Sequence, residues 1–167
     1  TSAAGNEDSN ISVDLSGSDI DGDALTFSLE SDTSNGSIAV SGSTATYIPN
    51  DNFNGSDSFT FIASDGALSS EATVSVTVTP VNDAPIFITS SLDAVDEDVA
   101  YSLTLDVDDI DNSDEELSIS ISSGPSWLSV SDLTLSGTPS DSDVGTVTVL
   151  LNLSDGEIIT SSSFELT

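Results

Sequence analysis

Acidic residues recur along this chain at one fixed spacing. Three of them have an acidic counterpart 90 residues later: Glu7 with Glu97, Asp19 with Asp109, and Asp65 with Asp155. The neighbouring residues recur too, because an Asp-Ile-Asp triplet begins at both Asp19 and Asp109. We call these recurring acidic positions the acidic landmarks. Three of them at one offset predict two copies of one module.

The chemistry of these residues follows from the charge of the chain. It carries 30 aspartates and glutamates and no lysine, arginine or histidine, which gives a formal net charge of −30. Carboxylates that converge without a basic partner must either take up protons or bind a cation. Ca²⁺ takes about six to eight oxygen ligands, whereas Mg²⁺ prefers fewer protein ligands in a stricter octahedron. Without His or Cys, zinc and copper are disfavoured. Calcium is therefore the predicted cofactor.

Two plainer interpretations of the aspartates remain open. An acidic, solvated surface also occurs in proteins adapted to high salt, although here the aspartates cluster at the repeated landmarks. Aspartate and asparagine also favour turns, because they bond to the nearby backbone and tolerate left-handed conformations. Asn35-Gly36 and Asn54-Gly55 fit that second interpretation well.

The composition also disfavours several classes of function. The charge disfavours nucleic acid and anionic membranes as partners. The chain has no cysteine and no apolar run long enough to span a bilayer, so we predict neither disulfides nor direct membrane insertion. With no catalytic triad, no phosphate loop and little room for a cleft between paired carboxylates, we predict that it is not an enzyme. A chain with no initiator Met and no signal peptide is expected to be a fragment or a processed subunit of something larger.

Strands must position the acidic landmarks, because short runs of apolar residues alternate with Ser and Thr between Gly, Asn, Asp and Pro. Seven strands are predicted in each module, which is typical of a β-sandwich. In the first module they comprise a short strand before Glu7 and runs around residues 11–15, 25–29, 38–40, 45–48, 59–63 and 74–78. In the second they are residues 86–90, 100–105, 117–122, 127–130, 133–136, 146–153 and 158–166. Trp127 is predicted to be a core anchor.

The strand count predicts where the acidic residues meet. We call the end of a module where its chain begins the leading end, and the opposite end the trailing end. Loops after even-numbered strands return to the leading end, and loops after odd-numbered strands lie at the trailing end. The first module therefore has Asp19, Asp21, Asp23 and Asp65 at its leading end, and Glu7 and Asp51 at its trailing end. The second has Asp108, Asp109, Asp111 and Asp155 at its leading end, and Glu97, Asp141 and Asp143 at its trailing end.

A short linker, Val81-Asn82-Asp83-Ala84-Pro85, joins the two modules, with boundaries predicted at 1–82 and 83–167. We expect a metal site at this junction, between the trailing end of the first module and the leading end of the second. The other two ends are half-sites that another copy could complete. The predicted junction ligands are Glu7, Asp51, Asn82, Asp83, Asp108, Asp109, Asp111 and Asp155.

The ordered landmarks resemble bacterial tandem cadherin-like repeats. The resemblance rests on Asp19-Ile20-Asp21-Gly22-Asp23 with Leu-Thr-Phe after Ala24, on Ala63-Ser64-Asp65-Gly66, and on the linker; it covers nearly the whole chain. The second module resembles the dystroglycan-type cadherin-like or putative Ig variant through Leu135-Ser136-Gly137-Thr138-Pro139 and residues 141–145.

The resemblance implies two tandem seven-stranded Ig/cadherin-like Greek-key β-sandwiches with Ca²⁺ at the domain junctions. It assigns the metal to Glu7, Asp51, Asn82, Asp83, Asp109, Asp111 and Asp155 by matching position. The chain departs from the full family pattern at Pro80, Ala84 and the Asp51-Asn52-Phe53 loop. We therefore expect one or two ions per junction rather than three.

The function predicted from these features is structural. We expect a calcium-rigidified extracellular repeat of a bacterial surface adhesin or fibre, secreted or at the cell surface, whose partners are neighbouring cadherin-like domains of the same chain or of other copies. Two alternatives remain: a Ca²⁺-dependent polysaccharide- or protein-binding module of a secreted enzyme, with cell-surface or extracellular polysaccharide as its ligand, and a self-polymerising filament subunit.

Overall fold

The chain folds into two all-β units in a computed structural model that describes residues 1–167. The first unit comprises Thr1–Val81 and the second Asn82–Thr167. Seven strands form the first unit: β1 (Ser2–Asn6), β2 (Ile11–Asp14), β3 (Thr26–Ser31), β4 (Gly36–Ser41), β5 (Thr44–Pro49), β6 (Gly55–Ser64) and β7 (Ser69–Thr79). They form a four-stranded sheet in the order β1-β7-β6-β3 and a three-stranded sheet in the order β2-β5-β4. All neighbours are antiparallel except β1 and β7.

Eight strands form the second unit. They are β8 (Ile86–Phe87), β9 (Tyr101–Thr104), β10 (Val107–Asp108), β11 (Ser118–Ser123), β12 (Ser129–Ser131), β13 (Thr134–Gly137), β14 (Val147–Ser154) and β15 (Ile159–Leu166). The sheets are β11-β14-β15, β12-β13-β9 and β10-β8. The only helical element is a 3-10 turn at Asp141–Asp143. No helix is both long and apolar enough to cross a bilayer.

The predicted all-β sandwich architecture is confirmed, and the extra strand has a local cause. The stretch predicted as one strand over 100–105 forms β9, which pairs with β13, and the chain then changes partner so that β10 pairs with β8. Asp108 therefore ends a strand, whereas the strand count placed it in a loop. Because Val107 is buried and side chains alternate across a strand, Asp108 points to the exposed face.

Each unit has its own hydrophobic core, drawn from both of its main sheets. In the first unit, Ala45 and Tyr47 from one sheet join Phe61 and Val74 from the other. In the second, the core includes Leu135, Leu151 and Leu153, which are fully buried, and each such side chain contributes about 1.5–3 kcal/mol. Trp127 packs against this second core, edge-on to Tyr101 with 6.2 Å between ring centroids, as expected of an anchor.

The two units repeat their backbone conformations as well as their sequence. Asp8 and Asp98 both adopt a positive φ, at 56° and 58°. Gly55 and Gly145 adopt φ values of 130° and 129°, which side-chain-bearing residues rarely reach. All four positions obey the 90-residue offset. Because the two units share these uncommon positive φ values at matching positions, their residues can be compared one by one at the 90-residue offset.

A polar network at the rim of the first core holds the start of β4 in place. The Tyr47 ring is fully buried, and its hydroxyl donates to the carbonyl of Asn35 at 3.0 Å and to Asp57 Oδ2 at 3.2 Å. Asp57 also accepts the backbone N–H groups of Asn35, Ser34 and Ser58. Burial acts to raise the pKa of Asp57, but these donated hydrogen bonds outweigh it and lower that pKa. Burial and the neighbouring Asp57 charge raise the pKa of Tyr47 to about 12.

This network predicts that the first unit loses stability in alkali. Since the pKa of Tyr47 is higher in the folded chain, its neutral phenol stabilises the fold fully below about pH 10, and this contribution, about 2–3 kcal/mol, disappears as the pH rises towards 12. Calorimetric melting from pH 8 to 12 should show the loss. The Tyr47→Phe variant should melt lower at neutral pH and lack this alkaline step. A Tyr101→Phe control that removed the same step would contradict the assignment to Tyr47.

Candidate functional site

Glu7 is the one buried charged side chain in the structure, with 2% of its surface exposed. It follows β1, and its backbone N–H donates to the Thr79 carbonyl at 3.0 Å. Its Oε1 accepts the Val81 N–H at 2.7 Å, and its Oε2 accepts from Asn54 Nδ2 at 3.4 Å. A carboxylate buried among neutral donors, in a chain without side-chain cations, is electrostatically costly and suited to a cation.

The loop that carries Asp51 lies beside Glu7. In addition to the Asn54 contact, the N–H of Asn52 donates to Asp8 Oδ1 at 3.4 Å. Asp51 itself is exposed on this loop. The structure therefore brings the loop after β5 to the turn after β1, as the strand count predicts, at the end of the first unit where β7 finishes.

In the second unit, side chains of the loops after β10 and β14 hold the start of the unit. The side-chain amide of Asn82 donates to Asp155 Oδ2 at 2.7 Å, and the backbone N–H of Asp83 donates to Asp111 Oδ2 at 2.8 Å. Asp155 Oδ1 also accepts the N–H groups of Glu157 and Ile158. The hydrogen bond from Asn82, and then those from the backbone, lower the pKa of Asp155 and keep it ionised.

Two oxygen atoms in this part of the second unit lack a donor. Asp109 Oδ1 accepts the N–H groups of Asp111 and Asn112, each at 2.8 Å. Its other oxygen, Oδ2, is buried without a hydrogen-bond partner, and so is Asn112 Oδ1. Buried acceptors without donors are rare because they lose their hydration. Their oxygen-only chemistry fits a hard cation such as Ca²⁺.

Asn112 was missed by the sequence reasoning. Its signal is its place immediately after the Asp109-Ile110-Asp111 landmark, where the first unit has Gly22. The second unit therefore has an asparagine, with its side-chain oxygen, at the position where the first unit has a glycine. Asp108, by contrast, lies on the exposed face of β10.

The leading end of the first unit brings together only part of its predicted set. Asp19 and Asp65 line one surface groove of about 280 Å³, together with Glu71. Asp21 and Asp23 are exposed, and their N–H groups both donate to Asp19 Oδ1. Backbone hydrogen bonds from Leu68 and Ala67 lower the pKa of Asp65. At this end, Asp19 and Asp65 act as turn-forming residues, because they accept hydrogen bonds from nearby backbone N–H groups.

The trailing end of the second unit is more open than that of the first. Glu97, Asp141 and Asp143 are all exposed. Glu97 and Asp143 line the same groove, and Asp143 Oδ2 accepts the hydroxyl and N–H of Ser140, which lower the pKa of Asp143. Across the whole structure, no three acidic side chains lie close enough together to form a ready metal centre.

Comparison with known proteins decides the family. Residues 1–79 match the family described as "Bacterial Ig domain", and residues 84–167 match the one described as "Putative Ig domain". The chain belongs to the bacterial Ig-like domains. Its two Ig-like domains bear out the resemblance stated above, including the assignment of the second as the putative Ig variant. This repeat fold is typical of non-catalytic modules.

Solved structures of cadherins share this fold. The Drosophila N-cadherin EC1-4 structure has a TM-score of 0.65 at 17% identity and covers 99% of this chain and 46% of that one. The mouse Protocadherin-24 EC1-3 structure has a TM-score of 0.63 at 15% identity and covers 99% of this chain and 67% of that one.

An endo-fucoidan hydrolase of glycoside hydrolase family 107, MfFcnA4, is 29% identical over 100% of this chain, with a TM-score of 0.44. The chain spans only 27% of that hydrolase. No curated protein matches the chain.

The contact between Glu7 and Val81 gives a direct prediction. Replacing Glu7→Ala removes a charge-assisted hydrogen bond worth about 1.5–3 kcal/mol, so the Val81 amide should exchange with deuterium at least about ten-fold faster. Hydrogen exchange followed by NMR measures this amide directly. The matched control is Glu97→Ala, at the exposed equivalent position, which should leave Val81 unchanged. Equal exchange rates in the wild type and Glu7→Ala would contradict the assigned contact.

Proposed function

We propose that this tandem of Ig-like domains is a calcium-rigidified structural repeat of an extracellular bacterial adhesin or surface fibre. The observation that carries the proposal is the pair of buried oxygens, Asp109 Oδ2 and Asn112 Oδ1, that lack donors in a chain without basic side chains. A bound Ca²⁺ would satisfy both oxygens and reduce the repulsion among the neighbouring carboxylates.

The proposed ligands come from both domains. The first domain supplies Glu7, whose burial supports the assignment, and Asp51 from the adjacent loop. The second supplies Asn82, Asp83, Asp109, Asp111 and Asp155, to which we add Asn112, while Asp108 would contribute through its charge. The resemblance to cadherin-like repeats places calcium at domain junctions, and that position is adopted here as part of the proposal.

Calcium chemistry assigns a role to each class of residue. Asp109 and Asp111 supply carboxylate oxygens from one loop, whose backbone N–H groups already fix the orientation of Asp109. Asn82 and Asp155 are hydrogen-bonded to each other, which limits the rearrangement needed to present their oxygens. Because Ca²⁺ binds the folded form and not the unfolded chain, it stabilises the fold by mass action.

The outer ends of the tandem would use the same chemistry with further domains. Asp19, Asp21, Asp23 and Asp65 form one half-site, and Glu97, Asp141 and Asp143 form the other. The partners are therefore adjoining Ig-like domains, in the same polypeptide or in other copies.

Calcium should stabilise the tandem and reduce its flexibility. At a calcium concentration 100-fold above the dissociation constant, one site adds about 2.7 kcal/mol to the free energy of unfolding. Calorimetry and X-ray scattering in CaCl₂, and then in EDTA, measure the melting temperature and the distribution of particle dimensions. MgCl₂ at equal ionic strength is the control for screening, and it should produce a much smaller shift. Identical melting and scattering in CaCl₂ and EDTA would refute the proposal.

The Asp109→Asn variant separates metal binding from turn formation. Asparagine keeps an oxygen that can accept the N–H groups of Asp111 and Asn112, but it removes the charge. We expect the calcium affinity to fall about ten-fold or more, as measured by titration calorimetry, while stability in EDTA stays equal or rises because repulsion decreases. Asp114→Asn, an exposed change in the same loop, is the control. A loss of stability in EDTA with unchanged calcium affinity would favour a turn-forming role alone.

A further inference from the structure

Two Asn-Gly pairs lie in the first domain, at Asn35-Gly36 and at Asn54-Gly55. Such a pair is chemically reactive, because the backbone nitrogen of a glycine has no side chain to shield it and can attack the side-chain carbonyl of the preceding asparagine. A five-membered succinimide ring then forms and ammonia leaves. Since the two pairs have the same sequence, the structure around each one decides how easily this ring forms.

The backbone around Asn35 is held on several sides. Its N–H donates to Asp57 Oδ2 at 2.8 Å, and its carbonyl accepts the Tyr47 hydroxyl at 3.0 Å and the Asn50 N–H at 2.9 Å. The adjacent Gly36 is enclosed, since a Cβ atom built on it would lie 2.6 Å from the Tyr47 ring. Ring closure requires the Asn35 backbone to rotate, and these contacts oppose that rotation.

Asn54 and Gly55 have more open surroundings. Both residues are exposed, and the atom nearest to a Cβ built on Gly55 would lie in the Phe53 ring, at 3.7 Å. Gly55 has a φ of 130° and forms the first pair of β6, with Val78. The end of a strand opens more readily than its centre, and opening frees the Gly55 nitrogen for attack. Asn54 is therefore the more reactive of the two asparagines.

The side chain of Asn54 also contacts a buried carboxylate. Its Nδ2 donates to Glu7 Oε2 at 3.4 Å, and Glu7 is only 2% exposed. The other oxygen of Glu7 accepts the Val81 N–H at 2.7 Å. Loss of the Asn54 amide would remove one donor from Glu7 and place a second carboxylate beside it. The chain has no basic side chain to offset the resulting repulsion.

We propose that Asn54 is a site of spontaneous deamidation, which makes its contact with Glu7 repulsive. The Gly55 nitrogen forms a bond to Asn54 Cγ and loses its proton, while the bond from Cγ to Nδ2 breaks and ammonia leaves. Water then opens the succinimide at either carbonyl and gives aspartate or isoaspartate at position 54. The net reaction consumes water and releases ammonia, without oxidation or reduction. Its effect reaches Val81, because the same glutamate holds the Val81 N–H.

The reaction is measured by ageing the 167-residue chain in mildly alkaline buffer with EDTA and mapping its peptides by mass spectrometry. Chymotrypsin separates the two sites, because it cleaves after Tyr47, which lies between them. Asn35 is the internal control. We expect Asn54 to convert at least about ten-fold faster than Asn35, because opening the backbone at Asn35 costs more free energy. Equal conversion at the two sites, or faster conversion at Asn35, would overturn the proposal.

The Asn54→Asp variant measures the effect of the product on Glu7. In EDTA we expect it to melt about 4–8 °C below the wild type and to exchange the Val81 amide faster, because a carboxylate replaces a donor. Asn10→Asp is the matched control: it adds the same charge at an exposed asparagine and should melt close to the wild type. Melting and Val81 exchange in Asn54→Asp equal to those of the wild type would also refute the proposal.

The Asn54→Gln variant tests whether ageing acts through this residue. Glutamine keeps the amide donor, but its longer side chain does not readily form the five-membered ring. Aged Asn54→Gln should therefore keep its melting temperature, whereas the aged wild type should move towards that of Asn54→Asp. An equal loss of stability in both aged proteins would assign the change to another residue and contradict the proposal.

Discussion

The absence of any basic side chain is the constraint on which the rest of this structure depends. With 30 carboxylates and no lysine, arginine or histidine, every acidic side chain that is packed or oriented must be held by neutral donors or by an ion. Backbone N–H groups do most of this work at Asp57 and Asp65, and at Asp155 the side-chain amide of Asn82 contributes before the backbone N–H groups. They lower the pKa of these carboxyl groups and keep them charged at neutral pH. These three side chains therefore keep their negative charge in the folded chain.

The same constraint divides the acidic residues into two groups. Those whose oxygens are satisfied by nearby N–H groups, such as Asp19, complete a turn and stabilise it locally. Those with buried oxygens that lack donors, as in Asp109, keep an unsatisfied acceptor in the folded chain. One aspartate can belong to both groups, because its two oxygens have different surroundings. A single aspartate can therefore complete a turn with one oxygen and keep the other without a donor.

The fold could be predicted well from the sequence, because period-two alternation and punctuation by Gly, Pro, Asn and Asp are local signals. Every predicted strand has a counterpart, and the leading-end pairing of Asp19 with Asp65 follows from counting strands. The strand count failed at Asp108, since no local signal marks the change of partner from β13 to β8. The burial of Glu7 and the unsatisfied oxygen of Asn112 depend on contacts between segments far apart in the chain. The 90-residue repeat indicated which segments to compare, but not how far their environments differ.

Val81 and Asn82 make their hydrogen bonds with different domains. The Val81 N–H binds Glu7 of the first domain, and the Asn82 side chain binds Asp155 of the second. These bonds are consistent with the boundary between the units, which falls at the peptide bond joining the two residues. A gene rearrangement with its breakpoint at this codon boundary would transfer either domain together with the contacts that hold its end in place. Duplication of such segments would lengthen the protein without leaving a partner residue behind, which suits a sequence built by repetition.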